Sequence, residues 1–245
     1  MPMLLVVFGL MEVDNPLWLW AAPVLSGVFL GATGTLLIWD LEHPSRFFLI
    51  FTRPQWKSWL VKGAFIIAGY SLVLALHFVS SLLGYTKPQQ RLVIAGLPFA
   101  VLTAIYTAYL FAQAKARDLW QNPLLPPHLF VQAILLGAAV LLPIAFRYAD
   151  PIVDTLQWIV CVTSVIHLLL VWGEMTLTHS TAPARLAAWE MTSGRFKPYF
   201  WASIALTILG GLALWLGIGT APLALAGLLL YEHEYVQAGQ SVPLA

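Results

Sequence analysis

Long runs of apolar residues recur along this chain and determine its predicted architecture. A transmembrane helix needs about 20 residues with few or no charges. Uncharged stretches lie at 15–39, 63–86, 92–114, 119–146, 155–173 and 198–231. Each of the first five predicts one helix, with bounds near 16–39, 58–83, 92–114, 128–146 and 153–176.

The last uncharged stretch, 198–231, is too long for one crossing. As a single helix it would run about 51 Å, against a hydrocarbon core of about 30 Å. The Gly217-Ile-Gly-Thr-Ala-Pro222 sequence is typical of a break, which predicts helices near 199–217 and 221–238. The fold class is therefore an all-α, polytopic transmembrane bundle of about seven helices, expected to form a single domain over 1–245.

The first ten residues are apolar but too few to cross a bilayer. They lack the basic start of a signal peptide. We interpret them as a membrane-surface segment or as a partial helix, which would make eight helices in all.

Composition supports membrane residence and excludes several classes of protein. The chain is 60% hydrophobic and 9% charged, against roughly 25% charged residues in soluble domains. The excess apolar surface must face lipid. A net charge of +1 gives no basis for nucleic-acid binding. The single cysteine, Cys161, excludes a disulfide framework and a Cys-ligated iron–sulfur cluster within this chain.

Two glycines in the first predicted helix, Gly27 and Gly31, form a GxxxG pair. Small residues at this spacing allow neighbouring membrane helices to approach closely. We therefore expect helix packing at this position rather than a cofactor contact.

The predicted helices assign the loops to two membrane faces of unequal charge. The face on which the first helix starts carries Lys87, Arg91 and Arg147. The opposite face carries nine basic residues: Arg46, Arg53, Lys57, Lys62, Lys115, Arg117, Arg185, Arg195 and Lys197. The positive-inside rule places the second face in the cytoplasm of a bacterial inner membrane. Alternatively, a basic face is a docking surface for an acidic partner.

Most of the polar residues that could take part in chemistry also lie on the basic face. They are Asp40, Glu42, His43, Arg46, Tyr106, Gln113, His128, Gln132, Glu174, His179, Glu232, His233, Glu234 and Gln237. Ionisable residues in or beside a membrane are functional candidates, because their burial is costly unless they pair or reach water. We expect Arg46 to form a structural ion pair with Asp40 or Glu42.

Glu232 lies about 15 Å along the last predicted helix from Pro222, which is mid-bilayer in a normal crossing. Either this helix is displaced towards the polar face, or a carboxylate lies deep in the protein and serves a proton relay. The run of Glu232, His233 and Glu234 favours displacement.

Several histidines raise the alternative of a b-type haem anchor. Only His77 and His167 lie well inside predicted helices, and their depths differ by about 12 Å, which argues against one iron between them. A haem on His43, His128, His179 or His233 stays open, although each lies near a helix end.

Three strings of residues carry a family resemblance. They are Asp40-Leu-Glu-His-Pro-Ser-Arg46-Phe47, then Tyr106-Thr-Ala-Tyr-Leu-Phe-Ala with Leu119-Trp-Gln-Asn-Pro123, and finally Tyr231-Glu-His-Glu-Tyr-Val-Gln237-Ala-Gly-Gln240. In this order they resemble motifs of the polysulfide reductase NrfD-type (NrfD/PsrC) family of integral membrane subunits. Ala108 replaces a usual glycine, and Gln121 precedes the asparagine.

The resemblance implies a membrane subunit without haem or iron–sulfur cluster of its own. Such subunits dock a ferredoxin-like iron–sulfur subunit, which is joined to a molybdopterin or multihaem catalytic subunit. They bind quinone or quinol, here menaquinone or ubiquinone, near the docking face. Tyr106 would then hydrogen-bond a quinone oxygen, with Asp40, His43 and Arg46 in the adjacent loop.

The polar clustering adds Gln113 and His128 to the predicted quinone site. Because a two-electron quinone reaction moves two protons, Glu174, Glu232 and His233 are candidates for proton transfer. The chain has no predicted metal ligand or catalytic residue, since catalysis needs the whole complex. Relative to the family bundle, we expect this sequence to lack the first helix. Many relatives also face their catalytic subunits to the periplasm, against the charge count here.

Two other functions stay open. A proton- or ion-translocating bundle without redox work would show discontinuous helices and mid-membrane charges, to which the 217–222 break and Glu232 correspond. A purely structural anchor fits the composition but leaves the polar cluster unexplained.

Overall fold

The computed structural model describes residues 1–148, 150–177 and 181–243, without the side chains at 86, 87 and 90. Over these residues all regular structure is helical, which confirms the all-α prediction. The α-helices are α1 (Pro2–Val7), α2 (Ala22–Trp39), α3 (Leu49–Thr52), α4 (Trp59–Leu82), α5 (Thr86–Phe111), α6 (Leu125–Arg147), α7 (Val153–Thr176), α8 (Ala182–Thr192), α9 (Lys197–Gly211), α10 (Ala213–Leu216) and α11 (Ala221–Ser241). A π-helical turn, Leu17–Ala21, leads into α2, and 3-10 turns lie at Pro44–Arg46, Asp118–Gln121 and Gly217–Thr220.

Six segments of the described chain are long and apolar enough to cross a membrane, so this is a multi-pass membrane protein. They are Leu17–Trp39, Trp59–Leu82, Arg91–Phe111, Leu125–Arg147, Val153–Thr176 and Ala213–Ser241. All seven predicted helices are present. The sixth predicted helix, 199–217, corresponds to α9, which has 15 residues and is shorter than the roughly 20 that a crossing needs.

The predicted break near Gly217 is confirmed. The chain turns from α10 into the 3-10 turn at Gly217, whose φ is +73°. Glycine adopts this left-handed conformation without the steric cost that a Cβ adds.

Helix α8 was not predicted. It begins after Thr181, whose side-chain oxygen accepts a hydrogen bond from the Ala184 amide at 3.3 Å, an N-cap that satisfies one free amide of the first turn. Arg185 and Glu190 interrupt its apolar residues, so it has no transmembrane pattern. At the N-terminus, residues Pro2–Val7 form the short helix α1, and its interpretation as a membrane-surface segment or a partial helix stays a prediction.

The chain forms two compact units, Met1–Leu110 (unit 1) and Phe111–Ala245 (unit 2). The single domain over 1–245 stays a prediction. In unit 1, α2 packs on α4, and Leu5 of α1 and Trp18 are fully buried.

Within the described chain no residue packs closely against the GxxxG pair of α2, so helix packing at this pair stays a prediction. Gly27 and Gly31 are exposed and line an open apolar groove with Leu74 and Phe78. A Cβ added at either glycine would meet nothing within 4 Å. The motif permits close packing only where a second helix covers it.

In unit 2, glycines bring α9 and α11 into close contact. Gly210 lies against the backbone of Ala224, and Gly227 lies against Thr207. Helix α7 packs on α6 and α9, while α8 and the Asp118–Gln121 turn pack on α11. This packing brings polar residues of α6, α7 and α11 together.

Candidate functional site

Five buried polar side chains meet in unit 2, and we refer to them as the buried polar network: His128, Gln132, His167, Glu174 and Tyr231. Helix α6 contributes two of them at a spacing of four residues, and α7 contributes two at a spacing of seven. Both spacings return a helix to the same face. All five are at most 4% exposed.

The network is connected by direct hydrogen bonds. Nδ1 of His128 lies 2.9 Å from Oε1 of Glu174, and Nε2 of His128 lies 2.7 Å from Nδ1 of His167. The Tyr231 hydroxyl donates to Oε2 of Glu174 at 2.5 Å. The short distances and the charged acceptor are features of strong hydrogen bonds.

The hydrogen-bond partners assign the protons in the network. Nδ1 of His128 carries a proton if the Glu174 carboxylate accepts from it. The amide nitrogen of Gln132 lies 3.4 Å from Nε2 of His128. Because an amide NH₂ only donates, Nε2 is an acceptor, and Nδ1 of His167 must be the donor to it. His128 therefore uses both ring nitrogens and His167 uses Nδ1, in a single line of hydrogen bonds that ends at Glu174.

The network lies near one end of the spanning helices. His128 follows the start of α6 by three residues, and Glu174 precedes the end of α7 by two. Tyr231 contacts Glu174, yet α11 continues for ten further residues. Helix α11 thus extends further beyond the level of Glu174 than α7 does, and its displacement towards the polar membrane face stays a prediction.

Residues beyond Tyr231 extend the polar region. Glu232 is half-buried and hydrogen-bonds the Gln132 side chain. Glu234 is fully buried, and neither carboxylate oxygen has a hydrogen-bond partner in the described part of the chain. The Tyr235 hydroxyl donates to the Leu119 carbonyl at 3.0 Å.

Two of the motif strings form one structural joint in unit 2. Gly239 of α11 lies against the indole of Trp120. Nη1 of Arg117 donates to the carbonyls of Gly239, Gln240 and Val242 at 3.2, 2.9 and 2.9 Å. The final carbonyls of a helix lack intrahelical partners, so Arg117 caps the end of α11.

In unit 1, the predicted loop residues Asp40, His43 and Arg46 are exposed. The expected ion pair of Arg46 with Asp40 or Glu42 is wrong, since over the described residues neither carboxylate lies within salt-bridge distance of it. The exposed side chains reach water and are not forced to pair. Asp40 lines an open groove of about 600 Å³ with Thr33, Leu36, Leu37 and Trp39.

Tyr106, the predicted quinone ligand, lies on α5 in unit 1 and is 4% exposed. Its ring lies against Gly63 of α4, where a Cβ would overlap it. The position of this ring therefore depends on the absence of a side chain at residue 63.

The remaining predicted site residues lie in unit 2. His128 and Glu174 belong to the network. Gln113 and His233 are exposed, and the His233 ring packs 5.3 Å from that of Tyr199. His179 lies outside the described residues. Sequence reasoning missed the roles of His167 and Tyr231, although the seven-residue spacing of His167 and Glu174 was an available indication.

The two network histidines bear on the haem alternative. Nε2 of His128 and Nδ1 of His167 are bonded directly to each other, which leaves no space for an iron between these nitrogens. The other nitrogen of His128 is bonded to Glu174. In this arrangement His128 links protein groups, and its predicted contact with a quinone stays a prediction.

Comparison with known proteins gives one family. The family model described as "Polysulphide reductase, NrfD" matches residues 13–225, which is most of the chain. No curated protein and no solved structure matches this chain.

Proposed function

This chain belongs to the polysulphide reductase NrfD family, and on that premise we propose that it is the quinone/quinol-binding membrane subunit of a respiratory oxidoreductase complex. In the bacterial inner membrane, it exchanges electrons between the quinone pool, menaquinone or ubiquinone, and a partner iron–sulfur subunit. That partner is joined to a molybdopterin or multihaem catalytic subunit. The chain itself supplies binding and proton transfer.

The buried polar network carries this proposal. Reduction of a quinone consumes two protons, and oxidation of a quinol releases two. Within lipid, a quinone or quinol needs a proton donor or acceptor that the protein supplies. Glu174 receives hydrogen bonds from both His128 and Tyr231, an arrangement that suits a carboxylate that gains and loses a proton. A purely structural anchor would not require these ionisable side chains to be buried, and their burial is costly.

The quinone itself is proposed to bind through unit 1. The groove beside Asp40 has apolar walls and a carboxylate, which matches a molecule with an apolar tail and a polar ring. Tyr106, His43 and Arg46 are the other proposed quinone-binding residues of this unit. Gln113 and His128 are the quinone-binding residues proposed for unit 2.

The test is the Glu174→Gln variant of the whole complex in native membranes. Quinone-linked turnover should fall by about 100-fold, the order that general acid–base catalysis contributes. Turnover with an artificial dye that bypasses the quinone should stay at the wild-type level. Glu12→Gln, a change at an exposed carboxylate of unit 1, is the control. Wild-type quinone-linked turnover in Glu174→Gln would remove the network from the proposed function.

A proton- or ion-translocating bundle without redox work is the second candidate. The break between α10 and α11 favours it, because transporters use interrupted helices around their sites. Vesicles that contain this chain alone distinguish the two candidates. Ion flux without any electron donor, lost in Glu174→Gln, would support the translocating bundle.

A further inference from the structure

Two buried hydroxyl groups in unit 2 are used by neither the fold nor the proposed chemistry. Ser164 on α7 is 1% exposed, and Thr207 on α9 is 0% exposed. Neither hydroxyl oxygen has a hydrogen-bond partner over the described residues. An unsatisfied buried polar group costs about 1–3 kcal/mol, so these two hydroxyls require an explanation.

Their lack of a hydrogen bond to the helix backbone sets them apart from most helical hydroxyls in the described chain, with Thr103 on α5 of unit 1 as another exception. Ser and Thr side chains in helices commonly donate to the carbonyl three or four residues earlier. Those that do so here include Thr33, Thr35, Ser80, Ser81, Thr163, Thr176, Thr192 and Ser203. Ser164 and Thr207 instead keep their protons available to another acceptor.

Both hydroxyls lie about one helical turn from the buried polar network. Ser164 precedes His167 by three residues on α7, and this spacing places both side chains on one face. Thr207 lies against Gly227 of α11, one turn before Tyr231. The Tyr231 ring in turn packs 5.2 Å from that of His167.

Glycines border both positions. Ser164 lies against Gly211, and a Cβ at Gly227 would collide with the Thr207 hydroxyl. A buried water needs two to four polar partners. The two hydroxyls supply two, and Nε2 of His167, the ring nitrogen that does not bond to His128, supplies a third.

We propose that Ser164 and Thr207 bind ordered water beside His167 and so extend the network into a proton channel that opens at one end of unit 2. Ser164 and Glu174 are ten residues apart on α7, or about 15 Å along the axis. This is about half of a hydrocarbon core of roughly 30 Å. The channel therefore reaches from the end of the bundle to mid-span.

Proton movement through this channel balances without any oxidant or co-reactant. A water molecule that carries an extra proton gives it to Nε2 of His167 and is left as neutral water, and His167 releases its Nδ1 proton to Nε2 of His128. His128 then releases its Nδ1 proton to the Glu174 carboxylate. One proton enters, one carboxylate is neutralised and both rings change tautomer, and the reverse sequence returns the proton.

The bound water is tested directly by an experimental structure of the intact complex at a resolution that shows ordered water. We expect water within hydrogen-bond distance of the Ser164 hydroxyl, the Thr207 hydroxyl and Nε2 of His167. If both hydroxyls bond their own helix carbonyls and no water lies between them, the inference is wrong. This test needs no turnover, so it stands even if the proposed quinone reaction fails.

The role of the water in proton transfer is tested with Ser164→Ala/Thr207→Val in the complex. Quinone-linked turnover should fall by at least about tenfold, with a larger solvent deuterium isotope effect and wild-type dye-linked turnover. The matched control is Thr163→Val/Ser203→Ala, because those hydroxyls bond their own backbone. It should match the wild type. Equal rates in both double variants would overturn the channel while leaving the quinone function, tested by Glu174→Gln, intact.

Discussion

The indole of Trp120 lies directly against Gly239 and holds the end of the last helix to the Asp118–Gln121 turn. These residues belong to two strings that marked the family resemblance, Leu-Trp-Gln-Asn-Pro and Ala-Gly-Gln. Their contact gives both strings a structural role in unit 2. Because Tyr231 lies two turns before Gly239 on α11, the joint also holds the helix that carries part of the buried polar network.

Replacement of Gly239 by alanine should destabilise the protein. The added methyl group would overlap the Trp120 indole, and overpacking costs about 1–3 kcal/mol. Alanine regains at most about 1 kcal/mol from its higher helix propensity. The midpoint of thermal unfolding in detergent should therefore fall.

Gly31→Ala on α2 is the control for this prediction, because a Cβ there meets nothing within 4 Å. It should leave the unfolding midpoint unchanged or raise it slightly. Trp120→Leu combined with Gly239→Ala should recover part of the loss. An unfolding midpoint for Gly239→Ala equal to that for Gly31→Ala would show that the contact between Trp120 and residue 239 accommodates a methyl group without loss of stability.

Arg117→Gln should loosen the end of α11. The guanidinium bonds three terminal carbonyls, and hydrogen bonds that involve a charged group contribute a net of about 1.5–3 kcal/mol each. Since Arg117 is only half-buried, we expect a total loss of about 1–3 kcal/mol. Hydrogen exchange of amides 236–241 should accelerate, and Lys115→Gln should not change it.

The helices were predictable because lipid imposes a strict condition on them. Backbone groups inside a bilayer must bond within the segment, so apolar length and the break at Gly217 were sufficient. Helix α8 was not predicted because polar and apolar residues are mixed along it and because its position depends on packing against α11. The GxxxG pair specifies small size and says nothing about which helix covers it.

The buried polar network was only partly predictable. His128 and Glu174 were recognised as ionisable groups at one membrane face. Their direct contact across 46 positions depends on the packing of α6 on α7, which sequence spacing does not encode. The sequence argument considered His167 only as a haem ligand, on the basis of its depth in the helix. Its hydrogen bond to His128 gives it a different partner.

Tyr106→Phe should reduce quinone-linked turnover of the complex while dye-linked turnover persists. The change removes the hydroxyl proposed to bond a quinone oxygen and keeps the buried ring. Tyr109→Phe on the same helix is the control, because Tyr109 is 37% exposed and stacks on Trp59. Gly63→Ala should also slow quinone-linked turnover, since the methyl group displaces the Tyr106 ring. Wild-type turnover in both Tyr106→Phe and Gly63→Ala would exclude Tyr106 from the quinone site.

Tyr231→Phe and Tyr235→Phe should separate proton transfer from stability. Tyr231 donates to the Glu174 carboxylate at 2.5 Å, so its loss should cost about 1.5–3 kcal/mol and slow quinone-linked turnover. Tyr235 donates to a backbone carbonyl, so its loss should cost about 0.5–1.5 kcal/mol without an effect on turnover. Unfolding midpoints measure the loss of stability, and the quinone-linked and dye-linked turnover assays measure the effect on proton transfer. If the two variants slow quinone-linked turnover equally, the effect follows from packing of α11, and the Tyr231–Glu174 bond has no separate part in proton transfer.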